Sequence, residues 1–121
     1  MSSERRVRKG WFVGGYSSPE WRRKLLSVDP VKFMRGYEHA RLKSLPDEFV
    51  VYRGYQLPAH KNGISWTLDR SVAQVFSNMN SQLPIGEVLE RKVKKCEVFA
   101  FLDNEAEVLI LEGDLREEGL T

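Results

Sequence analysis

The chain has 121 residues, 41% hydrophobic and 30% charged, with nine Gly and five Pro, a composition that fits one folded domain around a single core. Its one cysteine, Cys96, excludes an intramolecular disulfide, and two histidines, His39 and His60, are too few to complete a zinc site with it. The formal charge of +2 hides a division: residues 1–45 carry eleven Lys/Arg against four Asp/Glu, and residues 46–121 carry eight against thirteen. A basic half of this kind suits an acidic partner, nucleic acid or protein, or else docks on the acidic half of its own chain. Apolar runs such as Val108–Leu111 fall well below the roughly 20 residues that span a bilayer. No apolar stretch follows Met1–Arg6 to make a secretory leader. The expectation is a cytoplasmic protein with neither membrane nor metal partner.

Residues 1–10, basic and poor in apolar side chains, predict a mobile arm, and residues 11–121 a single domain with a basic helical part at 11–45. Ser18 and Pro19 are a helix-start pair, followed by Trp21, Leu25 and Leu26 at helical spacing to about Ser27. Asp29-Pro30 repeats the device, and Phe33, Met34, Tyr37 and Ala40–Leu42 predict one stripe of a second helix ending before Pro46. From Phe49 to Tyr55 the texture is aromatic and β-branched, which predicts the first strand. Ile64–Thr67 is short and extended in character. Leu68, Val72, Val75 and Phe76 then share a helical face, with Thr67 or Asp69 as cap. Asn78–Gly86 reads as a polar loop, and Glu87–Val93, Glu97–Leu102 and Glu107–Leu111 as three strands. Helices first and strands with short links afterwards predict an α+β domain with a largely antiparallel sheet.

Three segments place polar residues within or beside β elements: Tyr52-Arg53-Gly54, Ile64-Ser65-Trp66-Thr67 with its following helix, and Glu105-Ala106-Glu107-Val108. In this order and setting they resemble the arginine-serine-glutamate, cholera-toxin-like class of mono-ADP-ribosyltransferases, over roughly residues 49–112. The resemblance implies an ADP-ribosyltransferase-like split sheet with the N-terminal helices on its flank, and residues 46–113 as the NAD-binding, β-rich part. It implies NAD as the donor substrate and a macromolecular acceptor, a protein arginine ahead of other acceptors because the first position of the Glu-x-Glu pair is Glu. It also implies an effector of the bacteriophage or toxin kind acting on host machinery.

By the same resemblance Glu107 is the catalytic glutamate, bonding the nicotinamide-ribose 2′-hydroxyl and stabilising the charge of an oxocarbenium-like transition state. Glu105 orients or deprotonates the acceptor, and strand alternation is expected to set both carboxylates on one side. Ser65 supports the glutamate, and Thr67 fills the third place of a Ser-Thr-Ser-like motif whose middle residue here is Trp66. Arg53 binds the NAD phosphates or ribose. The backbone of Gly54 pairs with the nicotinamide carboxamide, where a side chain would obstruct. The Asn78–Gly86 loop lacks an aromatic residue, so stacking on a planar ring falls to Tyr52, Tyr55 and Trp66. Arg22, Arg23 and Lys24 belong to the basic surface expected to dock the acceptor. Two other readings remain at this level: a binding or inhibitor protein on the same fold without turnover, and a basic nucleic-acid-binding module resting on residues 5–43 and their interleaved aromatics, Trp11 and Trp21 included.

Overall fold

Among the described elements three short helices precede the first strand, and Pro19 opens the first of them. The computed structural model describes Arg8 and residues 19–58, 61, 63–103 and 106–111. Helix α1 is Pro19–Leu26; the expected cap Ser18 and the side chain of Trp21 lie outside the described set. Leu25 turns into the core while Leu26 stays exposed. Asp29 then caps a single turn, α2 (Pro30–Phe33), by accepting from Val31 N–H at 2.9 Å.

The second helix expected from the sequence is broken. Met34 and Arg35 are extended, and helix α3 starts afresh at Gly36 and runs to Ser44. The break has two causes: Glu38 accepts the Arg35 backbone N–H at 2.8 Å, and the Met34 sulfur accepts the N–H of Phe101 at 3.3 Å. A helix continued through residue 35 would lose both contacts. Tyr37 consequently points outward, where the periodicity placed it in the buried stripe.

Strand β1 (Glu48–Tyr55) pairs along its whole length with β3 (Glu87–Lys94), from Glu48 against Lys94 to Tyr55 against Glu87. Between them come β2 (Ser65–Thr67) and helix α4 (Arg70–Phe76). A 3-10 turn at Lys95–Glu97, carrying the exposed Cys96, and an irregular stretch at Val98 and Phe99 replace the first half of the strand expected from Glu97, so β4 is Ala100–Leu102. Strand β5 is Glu107–Leu109. The result is an α+β chain with one antiparallel five-stranded sheet, order β3-β1-β2-β5-β4, and not the ADP-ribosyltransferase-like split sheet expected, because β2 pairs with both β1 and β5 and joins all five strands into one sheet. The β4 edge is covered by the N-terminal helices, with Phe33 edge-on to Phe99, ring centroids 5.8 Å apart.

Side chains of paired residues in an antiparallel ladder share a face. One face carries Val51, Trp66, Val93, Phe101 and Val108, all within the hydrophobic core. Helix α4 lies on the other, but the residue it buries is Ala73; Val75 and Phe76, expected to face inward, are exposed. The reason is at Gly54. A Cβ there would lie 1.8 Å from the carbonyl oxygen of Ala73, so helix and strand backbones touch and only a small residue fits between them.

Arg8, expected in the basic arm, is buried. Its guanidinium bonds both carboxylate oxygens of the fully buried Glu38 and the carbonyl of Phe33, the last at 3.0 Å. The rest of the arm lies outside the described residues. Arg22, expected on the docking surface, is buried as well, its Nε donating to the carbonyl of Leu111 at 3.1 Å. Both arginines spend their charge within the fold, which leaves Arg23 and Lys24 as the exposed cations of α1. Among the described residues no helix is long and apolar enough to cross a membrane, and no three His, Cys, Asp or Glu are grouped to hold a metal ion.

Candidate functional site

Strands β1 and β2 register at one described pair, Tyr52 with Thr67, and the row continues from Thr67 to Glu107 and from Glu107 to Leu102. Tyr52, Thr67 and Glu107 therefore share one face of three neighbouring strands. Ser65, two residues before Thr67, shares that face and stands diagonal to Glu107 on β5. Its hydroxyl donates to Glu107 Oε2. An O–H donor on an ionised carboxylate makes a charge-assisted bond, stronger than a neutral one, and it fixes where the second carboxylate oxygen can lie. Both residues are half-buried, so the pair is shielded yet reachable.

Arg53 leaves β1 on the opposite pleat, beside the buried Val51, and its head turns into the space between β1 and β2. Nη1 donates to the Ser65 carbonyl at 2.8 Å and Nε to the Lys61 carbonyl at 3.3 Å. Had the β1–β2 ladder continued past Tyr52 and Thr67, Arg53 would face Trp66 after one step and Gly54 would face Ser65 after two. Instead the strands part, and a guanidinium supplies the donors that backbone N–H groups would have supplied. Ser65 is thus held twice: its carbonyl by Arg53, its hydroxyl against Glu107.

The remaining predicted residues do other work. The approach that demands glycine at position 54 is that of helix α4, not of a planar ligand. Thr67 is buried, and its hydroxyl accepts the Asp69 N–H at 3.1 Å, closing the turn into α4. Asp69 caps that helix through Ser71, whose two hydrogen bonds hold its carboxyl below the ordinary value. Trp66, expected to be free for stacking, is 5% exposed because alternation with Ser65 and Thr67 sends it to the core face; its Nε1 donates to the Gly63 carbonyl at 3.0 Å. Tyr55 donates to Glu87 Oε2 at 2.9 Å across the β1–β3 pair, a bond that raises its phenol above the ordinary value. Tyr52 carries the Arg70 guanidinium 5.9 Å from its ring centre.

Glu105, like His60 and Trp11, lies outside the described residues. The alternation argument that paired it with Glu107 does not extend past Ala106, whose φ of 48° is left-handed and not extended. Ala106 is held there by its carbonyl, which accepts the Leu68 N–H at 3.1 Å. A left-handed alanine costs about 1–2 kcal/mol, a strain stored directly before Glu107. The Asn78–Gly86 loop is tied to the end of β1: the Gln56 side chain donates to Asn80 O at 3.0 Å and Pro84 O at 3.2 Å and accepts from Asn80 N at 2.9 Å.

Two features escaped the sequence reading. Glu38 gathers Arg8, Arg35 N–H and Asp103 N–H, the last at 2.7 Å. Burial pushes its carboxyl up, but these bonds and the charge of Arg8 outweigh burial and hold it below its ordinary value. No local pattern marks that residue among the polar positions of α3. Arg91 did leave a signal, since it interrupts the apolar alternation Leu89, Val93 on β3. No family model matches the chain, and neither a curated protein nor a solved structure is similar to it.

Proposed function

We propose that the protein is a small mono-ADP-ribosyltransferase that transfers ADP-ribose from NAD to a macromolecular acceptor, a protein arginine foremost. The observation that carries the reading is the hydrogen bond from Ser65 to Glu107 beside the Arg53 guanidinium. Three residue types far apart in the chain meet where β1 and β2 part, in the combination that this chemistry uses. In the reaction the bond between ribose C1′ and the nicotinamide nitrogen breaks, and its electron pair leaves with nicotinamide. Positive charge then develops over C1′ and the ring oxygen. A carboxylate locked by Ser65 needs no reorganisation to oppose that charge, and its second oxygen can accept the ribose 2′-hydroxyl. The acceptor nitrogen bonds to C1′ from the other side and releases a proton, the task assigned to Glu105. On this reading Arg53 is the residue that binds the phosphates.

A second reading, a binding protein on this fold without turnover, draws support from one surface. Residues 71–86 contain no charged side chain in a chain that is 30% charged. Within them Val75, Phe76, Met79 and Ile85 are 59%, 39%, 61% and 75% exposed, the apolar, charge-poor character of an interface centre. Labelled NAD added to a cytoplasmic extract with wild type or Glu107→Gln separates the two. Transfer seen on a gel with wild type, and reduced at least about 100-fold by a substitution that keeps the size but removes the charge, is the enzyme result. Protease and nuclease digestion then assign the acceptor. An unlabelled extract that contains a protein captured equally by both forms is the binding-protein result.

A further inference from the structure

We infer that the outer edge of β3 is a self-association surface, on which two copies of the chain pair antiparallel about a two-fold axis at Arg91. Strands β3 and β4 are the two edges of the sheet. The N-terminal helices cover β4, whereas β3 presents eight residues with nothing paired along their outer side among the described residues. Two bonds fix which backbone groups face out. Lys95 N–H donates to the Asp47 carbonyl at 2.7 Å, one step beyond the Glu48–Lys94 pair, and Lys94 N–H turns the other way, to Glu97 Oε1 at 2.8 Å. Antiparallel ladders alternate, so the odd-numbered residues of β3 bond β1, and the N–H and C=O of Val88, Glu90 and Lys92 point outward.

A two-fold axis perpendicular to the sheet keeps each face continuous, which leaves only the centre of the pairing to be chosen. Centred on Glu90, the pairing sets Glu90 against its own copy; centred on Lys92, it does the same to Lys92, and like charges directly opposite are unfavourable. Centred on Arg91, it sets Glu90 against Lys92 of the second copy at both symmetry-related places, and the partners of each pair exchange both backbone bonds. Leu89, half-buried at the rim of the core, meets Val93 of the second copy on the core face. Glu90 already lies 3.9 Å from Arg70, and Lys92 3.1 Å from Glu48. All four are exposed, and across the seam they make a row of alternating charge: Arg70, Glu90, then Lys92 and Glu48 of the second copy. The one like-charged pair that remains, Arg91 with its copy, is relieved because its guanidinium is drawn back across β1 to 5.6 Å from the Trp66 ring centre. Charges that ordinarily guard an edge strand stand here in a self-complementary order. The seam lies three strands from β5 and does not depend on the NAD reading.

Sedimentation equilibrium of the full chain tests the pairing, in wild type and with Glu90→Lys and Lys92→Glu made separately, mixed in equal amounts, and combined in one chain. The expected result for wild type is a monomer–dimer equilibrium. Each single substitution sets like charges opposite at both symmetry-related places and should weaken the dimer about tenfold or more, while the mixture and the combined variant restore opposite charges and recover it. Amide exchange in wild type reads the register without any substitution, since protection at Glu90 and Lys92 should rise with protein concentration. A wild type that stays monomeric at the highest concentration reached overturns the proposal. A dimer that both single variants keep at wild-type strength overturns it as well, because the contact then lies on another surface. So does a loss that neither mixing nor combining restores, the mark of damage to β3 itself, and so does protection at Glu90 and Lys92 that is independent of concentration.

Discussion

Gly54→Ala is the sharpest probe of how the site is assembled, because the obstacle to the new methyl is backbone. Its Cβ would meet the Ala73 oxygen at 1.8 Å, the Ala73 carbonyl carbon at 2.7 Å and the Ser77 nitrogen at 2.9 Å. Those atoms belong to the last turn of α4, where Ser77 N–H donates to Ala73 O at 3.0 Å, so no side-chain rotation relieves the clash. To open the closest contact to even 3.0 Å the helix must retreat, by more than about 1 Å in an interior packed as densely as a crystal. Overpacking costs about 1–3 kcal/mol where side chains can adjust, and a backbone obstacle puts this case at the upper end. For a chain of this size that is a fall in thermal midpoint on the order of 10 °C. The control is Gly36→Ala at the start of α3, where a Cβ would meet nothing within 4 Å; there the smaller entropy of the unfolded chain should raise stability by about 0.4–1 kcal/mol. Thermal unfolding followed by circular dichroism measures both. If Gly54→Ala melts within a degree or two of wild type, helix α4 is not seated on β1 as described, and the placement of Ser65 and Thr67 before it is undermined.

If the protein is the proposed transferase, removing the hydroxyl in Ser65→Ala should lower the rate of nicotinamide release at least about tenfold by freeing Glu107, while stability changes by about 1 kcal/mol or less; a rate equal to wild type in a discontinuous nicotinamide assay would detach Ser65 from Glu107. Glu38→Gln leaves a buried guanidinium without its counter-charge and should cost about 3–5 kcal/mol, read from denaturant midpoints. Because the folded-state carboxyl of Glu38 lies below its ordinary value, its contribution is fully present above the unfolded value near 4.5 and is lost as pH falls through the folded one. An acid titration of stability in wild type should therefore show a limb below pH 4.5 that is reduced in Glu38→Gln. Arg22→Ala should lower the melting temperature, whereas Arg23→Ala should leave it unchanged; equal effects of the two would contradict the bond from Arg22 to Leu111.

Local chemistry alone was enough to read several elements from the sequence. Pro19 and Pro30 open helices, Asp69 caps α4, and the aromatic and β-branched run at 49–55 is a strand, because backbone dihedral preferences and near-neighbour hydrogen bonds act over a few residues. The types of residue at the site, Arg53, Ser65 and Glu107, were legible as a pattern in order along the chain. Their meeting was not. It depends on the strand order β3-β1-β2-β5-β4, which no local preference encodes, and on the parting of β1 from β2 beyond Tyr52 and Thr67.

The errors share a cause. The helix expected through residues 33–42 breaks because Glu38 takes the Arg35 N–H and the Met34 sulfur takes the Phe101 N–H, and α4 turns Ala73 rather than Val75 and Phe76 inward because Gly54 lies beneath it. Trp66 is buried because its neighbours face the other way. Arg8 and Arg22, which composition assigned to a basic surface, are inside because Glu38 and the Leu111 carbonyl satisfy them there. Charge and hydrophobicity belong to residues and can be counted along a chain; whether a charge meets a partner or an apolar side chain meets solvent is decided by segments distant in sequence, and only tertiary structure brings those together.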